Sequence, residues 1–168
     1  MHGSPAQRGL DPGDRAGSVQ RGEEAWAAVT RDAEAAGVTY CIEPLAPRET
    51  DFVNTVAEAV AIVERIGSPA LRTMIDTSAA AAAAEAEPVA DVVERWMPTG
   101  LIAHVQLNDR NRRGPGQGED AFRPILSALK RTGYSGWLAM EPFDYVPDGP
   151  TCAARAIGYV QGVMEGLR

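Results

Sequence analysis

Apolar residues in this chain recur at two alternating spacings. Between Glu23 and Ala36, the residues Trp26, Val29, Ala33 and Ala36 fall three or four apart, with two acids in the first turn and Gly37 just past the end. This spacing predicts an amphipathic helix, and the glycine marks its stop. A short β-branched run follows at Val38 to Ile42 and reads as a buried strand. In "TVAEAVAIVERIG" the apolar positions return to helical spacing at Val56, Ala59, Val60, Val63 and Ile66, closed by Gly67. The alternation then repeats: strand Leu71 to Ile75, helix Ala79 to Met97, strand Leu101 to Leu107, helix Ala121 to Arg131, strand Trp137 to Met140, helix Thr151 to Leu167. Ahead of all this, residues 1–22 hold five glycines and two prolines among polar residues. They read as a loop, with Met1 to Gly3 as the last residues of a strand.

Strands alternating with helices imply βα units and a parallel sheet, because parallel strands need crossover connections. The class is α/β. The strand ends narrow the architecture further. "CIEPL" at Cys41 to Leu45 and "AMEPF" at Ala139 to Phe143 both close an apolar run with Glu-Pro, "MIDTS" ends in Asp76, and "HVQLND" ends in Gln106 followed by Asn108 and Asp109. A polar residue at the same end of every strand suits a (β/α)8 TIM barrel, whose active sites sit on the C-terminal face; a doubly wound sheet concentrates polar groups at one switch point. A full barrel has eight strands in about 250 residues, and four are predicted here. Residues 1–168 therefore read as a single partial-barrel domain: a loop over 1–22 and four βα units over 23–168, equivalent to the C-terminal half of a barrel. Its open strand edges need covering, and a homodimer rebuilding a pseudo-barrel would do so.

Composition and charge remove several classes. With 45% hydrophobic residues in 168, the chain can bury a core. A net charge of −7, with Lys and Arg scattered, argues against nucleic acid and anionic membrane as partners. The longest apolar stretch, Ala79 to Ala84, is too short to span a bilayer, and the first residues show no signal-peptide pattern, so a cytoplasmic location is expected. Cys41 and Cys152 have no C-x-x-C spacing and are expected to be reduced and structural.

The candidate chemistry lies at the strand ends. An ionised carboxylate closing a buried strand, as at Glu43, is costly unless something pairs with it. Glu43, Asp76, Gln106 and Glu141 together offer three carboxylates and an amide oxygen. Hard divalent cations such as Mg²⁺ or Mn²⁺ take oxygen ligands of this kind and leave room for a substrate. Each residue has an ordinary reading as well. Asp76 before Thr77 can cap the alanine-rich helix, and an amide at a strand end, as in Gln106, is usually a hydrogen-bonding loop residue. His104 shares a face with Gln106, where it is either a core histidine or a substrate contact. Arg112 lies in the polar loop "NDRNRRGPGQGE", where Arg110 and Arg113 compete for the same role. That loop lacks the Lys-Ser/Thr ending of a phosphate loop. Trp137 and Phe143 are expected to pack, and the alanine run to form a helix surface.

The stretches "IEPLAPRETDFVNT", "MIDTS", "HVQLNDRNRRGPGQGE" and "GYSGWLAMEPFDY" resemble, in order, motifs of the sugar phosphate isomerase/epimerase superfamily. These are the xylose isomerase-like TIM barrels, which include ketose 3-epimerases and hydroxypyruvate isomerases; "HGSPAQR" is similar to the end of their fourth strand. The resemblance implies that Glu43 and Glu141 bind the metal and exchange protons with substrate carbon, and that Asp76 is a metal ligand. It implies the same for Gln106, where the epimerases usually have His and hydroxypyruvate isomerases have Gln. Glu49 and Arg112 match positions that contact substrate oxygens. Ala79 departs from the pattern, since many relatives carry a substrate-binding His there. The implied cofactor is Mn²⁺ or Mg²⁺, with Co²⁺ or Zn²⁺ as substitutes, and the implied substrate is a sugar or small hydroxy-carbonyl compound. The implied reaction is proton transfer beside a carbonyl through a metal-stabilised enediolate, giving isomerisation or epimerisation. A non-catalytic partial barrel or assembly subunit is the alternative. Polyol dehydration is a further one; an apurinic endonuclease expects a His-rich zinc cluster and a basic surface, against two histidines and a charge of −7 here.

Overall fold

A computed structural model describes residues 8–83 and 87–167. Met1 to Gly3, expected to end a strand, lie outside the described residues. Four strands form one all-parallel sheet in chain order: β1 (Tyr40–Ile42), β2 (Leu71–Asp76), β3 (Ile102–Gln106) and β4 (Leu138–Ala139). The helices are α1 (Arg15–Ala36), α2 (Val56–Ile66), α3 (Thr77–Ala82), α4 (Val89–Trp96), α5 (Phe122–Arg131) and α6 (Gly149–Glu165). Neighbouring strands are consecutive, with no reversal of order, as in a run of βα units from a barrel wall.

The register sorts the two faces of the sheet. Ile75 pairs with Val105, and both join Val93, Phe122 and Leu126 in the larger core cluster under α4 and α5. Asp76 pairs with Gln106, and Gln106 with Ala139. Because side chains alternate along a strand, Asp76, Gln106 and His104 occupy the face away from the helices. A second cluster, with Trp26, Ile42, Ile62 and Leu71, joins α1 and α2 to the β1 edge.

Several elements differ from the sequence expectation. Helix α1 begins at Arg15, inside the stretch expected to be a loop. Asp14 caps it by accepting a bond from the Gly17 amide at 3.0 Å, and Arg21 donates to the same carboxylate at 2.9 Å. A glycine inside a helix costs about 1 kcal/mol, but at Gly22 a Cβ would lie 2.6 Å from the Phe52 ring, so close packing explains its presence. The buried face of α1 is Trp26, Thr30 and Ala33; Val29 is 38% exposed, and Thr30 stays satisfied by donating to the Trp26 carbonyl. The helix expected from Ala79 to Met97 divides into α3 and α4, followed by a 3-10 turn over Met97–Thr99. Pro88, at the start of α4, has no N–H to continue a helix through it. Trp137 and Phe143, expected to pack, are 85% and 57% exposed, and β4 spans Leu138–Ala139 where Trp137 to Met140 was expected. Cys41 and Cys152 are buried and unpaired, as expected.

Candidate active site

Glu43 follows the last residue of β1 and is 8% exposed. Its backbone carbonyl accepts a bond from Arg8 Nη1 at 2.7 Å, but among the described residues no donor binds its carboxylate. Burial pushes its pKa up to about 7, and repulsion from Asp76, Glu141 and Glu49 adds to the rise while Arg8 opposes it. The carboxylates of three separate strand ends therefore feel one another at the same end of the sheet.

Asp76 has a different environment. Its Oδ1 accepts from the Ser78 amide at 2.8 Å, the Ser78 hydroxyl at 2.7 Å and the Ala79 amide at 3.0 Å, capping α3 as one sequence reading held. Its Oδ2 accepts from Asn108 Nδ2 at 2.5 Å. Asn108, only 2% exposed, also accepts the Glu141 amide on its Oδ1 at 2.8 Å, and its own backbone exchanges two bonds with the Thr77 hydroxyl. One amide thus ties the ends of β2, β3 and β4 together. Sequence reasoning noted Asn108 only as a neighbour of Gln106; its signal was a polar residue placed directly after a buried Leu107 at the strand end.

The remaining candidates fall around this centre. Gln106 is 1% exposed and registered beside Asp76. His104 is half-buried on the same face; burial lowers its pKa, and Glu141 pulls it the other way. Glu49 folds back in the β1–α2 loop, its Oε2 accepting the Ala46 amide at 3.1 Å. Arg110 and Arg113 are engaged in ion pairs at 2.7 Å with Asp120 and Asp144. Arg112 instead lies 5.0 Å over the Phe143 ring and lines a cavity of about 120 Å³ with Glu43, Glu49, Asp76 and Asn108. Its φ of 70° is left-handed, and its carbonyl accepts the Phe143 and Asp144 amides at 2.9 and 3.0 Å. Gln106, His104 and Glu141 do not line that cavity.

The sequence pattern of the xylose isomerase-like TIM barrel family matches residues 1–161. The chain belongs to the xylose isomerase-like TIM barrel family. Within it, the chain is 34% identical over 132 residues to a D-psicose 3-epimerase of Agrobacterium fabrum, covering 79% of this chain and 44% of that protein. It is 30% identical over 130 residues to a D-psicose 3-epimerase of Ruminiclostridium cellulolyticum, covering 77% and 43%. A solved L-ribulose 3-epimerase superposes with a TM-score of 0.78 at 25% identity, over 90% of this chain and 55% of that one. The chain spans less than half the length of these curated relatives. It is a partial barrel of the family.

Whether the residues present suit the divalent metal expected of them is a question of donors and charge. Among the described residues, no group of three or more His, Cys, Asp or Glu side chains stands close enough to hold an ion as it is. The donor chemistry nevertheless fits a hard cation. Glu43 is buried with no donor on its carboxylate amid three other acids, an arrangement that a positive ion relieves.

Proposed function

We propose that this chain contributes the catalytic strand ends of a sugar or hydroxy-carbonyl isomerase or epimerase, with Glu43 and Glu141 moving the proton. The observation that supports this best is the place of Glu43, buried at the end of β1 with no donor on its carboxylate among the described residues and with Asp76, Glu141 and Glu49 near enough to help burial push its pKa up. A carboxylate so poised exchanges a proton readily near neutral pH. Glu141 is carried by a separate strand end. Removal of a carbon-bound proton by one glutamate and delivery of a proton to the same carbon by the other, protonated glutamate, from the opposite face, inverts the carbon; return by the first glutamate to the neighbouring carbon, with the hydroxyl proton passing to the former carbonyl oxygen, isomerises the substrate. Likeness to D-psicose 3-epimerases favours a sugar and the first outcome. Glu49, Arg112 and His104 are the residues to orient substrate oxygens, and Asn108 positions Asp76 and Glu141. A divalent cation, Mn²⁺ or Mg²⁺, held by Glu43, Asp76, Gln106 and Glu141, supplies Lewis-acid polarisation of the carbonyl when bound. We place the activity in cytoplasmic carbohydrate metabolism.

Exchange of substrate C–H with deuterated water, followed by mass spectrometry with D-fructose and Mn²⁺, tests the reading. Incorporation by the wild type and its loss in Glu43→Gln and Glu141→Gln is the expected result. A second reading, a non-catalytic partial barrel, draws on the engagement of both Asp76 carboxylate oxygens within the protein, Oδ1 in capping α3 and Oδ2 with Asn108. It prevails if the folded chain neither binds Mn²⁺ in calorimetry nor exchanges any substrate proton.

A further inference from the structure

We infer that Asn108 is a positioning residue that makes the backbone of Glu141 answer to whatever engages the carboxylate of Asp76. The coupling rests on hydrogen bonds alone; its part in proton transfer rests on the enzymatic reading above. Strand β4 spans only Leu138–Ala139, and its pairing with β3 closes with the Leu107 amide donating to the Ala139 carbonyl at 2.8 Å. Glu141 lies beyond that bond and is exposed. Among the described residues, the bond from its amide to Asn108 Oδ1 at 2.8 Å is the one hydrogen bond it makes. A residue held past a strand end by one bond takes its place from whatever holds the partner.

Asn108 has little freedom of its own. Its N–H donates to the Thr77 hydroxyl at 2.9 Å and its carbonyl accepts from that hydroxyl at 2.7 Å, so its backbone is clamped to the residue after Asp76. Its neighbours also dictate which way the side-chain amide points. An ionised carboxylate only accepts and a backbone N–H only donates, so Nδ2 faces Asp76 Oδ2 and Oδ1 faces Glu141. With the backbone clamped, the amide responds by turning about its side-chain torsions, which moves Oδ1 and Nδ2 together. Asn108 and Asp76 are 2% and 7% exposed, so little water is at hand to replace a lost bond. The two oxygens of Asp76 differ in what they have left. Oδ1 takes three donors from Ser78 and Ala79, whereas Oδ2 takes Asn108 alone and keeps a lone pair. A group that engages Asp76 therefore meets the oxygen that Asn108 holds, and its effect passes through one planar amide to Glu141.

Hydrogen exchange of the Glu141 amide, measured by NMR on the full chain without metal, tests the coupling, with the Leu107 amide as reference. In Asp76→Asn the remaining oxygen keeps the Ser78 and Ala79 donors, so the new NH₂ stands in the place of Oδ2 and opposes the NH₂ of Asn108. Asn108 then turns and releases the Glu141 amide, although no partner of Glu141 has been altered. Exchange at Glu141 is expected to speed about tenfold relative to Leu107, as loss of one hydrogen bond implies. Asn108→Asp sets two carboxylates face to face and is expected to do the same. Joined in one protein, the two substitutions restore donor against acceptor in the reversed direction, and exchange is expected to return to within about threefold of wild type. A merely structural loosening would speed Leu107 as much as Glu141, and two such losses would add. Equal acceleration of both amides, wild-type exchange at Glu141 in Asp76→Asn, or a double variant no slower than the singles overturns the proposal. Should a single variant not fold, recovery of folding in the double variant counts as the rescue, and an unfolded double variant overturns the proposal. The expected pattern without C–H exchange of D-fructose in deuterated water upholds the coupling and removes the enzymatic reading that gives it a part in catalysis.

Discussion

Glu43 concentrates the energetics of the site in one side chain. Its pKa of about 7 in the folded chain lies above its ordinary value of 4.5. The folded state therefore holds more protons than the unfolded state between those values, and stability falls as pH rises through that window. Below about pH 4.5 the group is neutral in both states and costs nothing; above about pH 7 the full penalty, at most about 3 kcal/mol, is present. Glu43→Gln is accordingly expected to be about 1–3 kcal/mol more stable than wild type at pH 8 and equal to it at pH 4, in urea unfolding with chelator present. Mn²⁺ should raise wild-type stability at pH 8 and leave Glu43→Gln nearly unmoved. An equal effect on both proteins would show that the ion sits elsewhere. Arg8 is the structural counterpart: it donates to three backbone carbonyls, including that of Val53, whose φ of 63° is left-handed, and lies 5.8 Å over the Trp26 ring. Arg8→Met leaves those carbonyls without their donor and is expected to cost about 2–4 kcal/mol, read as a lower urea midpoint at unchanged slope.

At the level of elements, what was legible in the sequence follows from what each element needs. Helix α2 carries all its information locally: apolar spacing, the capping box of Thr55 and Glu58, and Gly67 in the left-handed stop position. The four strands were found because their apolar runs end in polar residues, and the glutamates, Asp76 and Gln106 were found with them. The start of α1 was missed because glycines there speak for a loop, whereas the decisive facts, the fit of Gly22 against Phe52 and the Asp14 cap, are a tertiary contact and a geometry. Asn108 was undervalued for a similar reason, since its partners Asp76 and Glu141 come from other strands. The loop after β3 shows the same dependence on distant geometry. Asp109 is 2% exposed and holds the amides of Asn111 and Asp120, and a Cβ on Gly118 would fall 2.2 Å from its carboxylate. Gly118→Ala must push Asp109 aside, so about 1–3 kcal/mol of stability should be lost. Because Arg112 hangs from the same turn through the hydrogen bond its backbone N–H donates to the Asp109 carbonyl, ligand affinity should fall with it. Unchanged affinity would mean that the turn does not position Arg112.

Across the whole described molecule, the sheet has two unpaired edges, β1 and β4, because its order runs from one to the other without closing. Directly before β4 stands Trp137, 85% exposed. Unpaired strand edges flanked by apolar side chains are templates for further strand pairing. A second copy related by a two-fold axis along the barrel would set each β1 beside the other copy's β4, with all strands still parallel, and both edges would disappear at once. The 168-residue chain alone is therefore expected to self-associate at micromolar concentration, observed by sedimentation velocity. A lysine at Leu138, on the β4 edge, should shift it toward monomer. Closure of this kind brings two sets of Glu43, Asp76 and Glu141 to one mouth, and their repulsion opposes it. The dimer should then tighten when Mn²⁺ is added and loosen with chelator or rising pH. Association that ignores both the Leu138→Lys change and divalent metal would show that the edges and the acidic mouth are not where the copies meet.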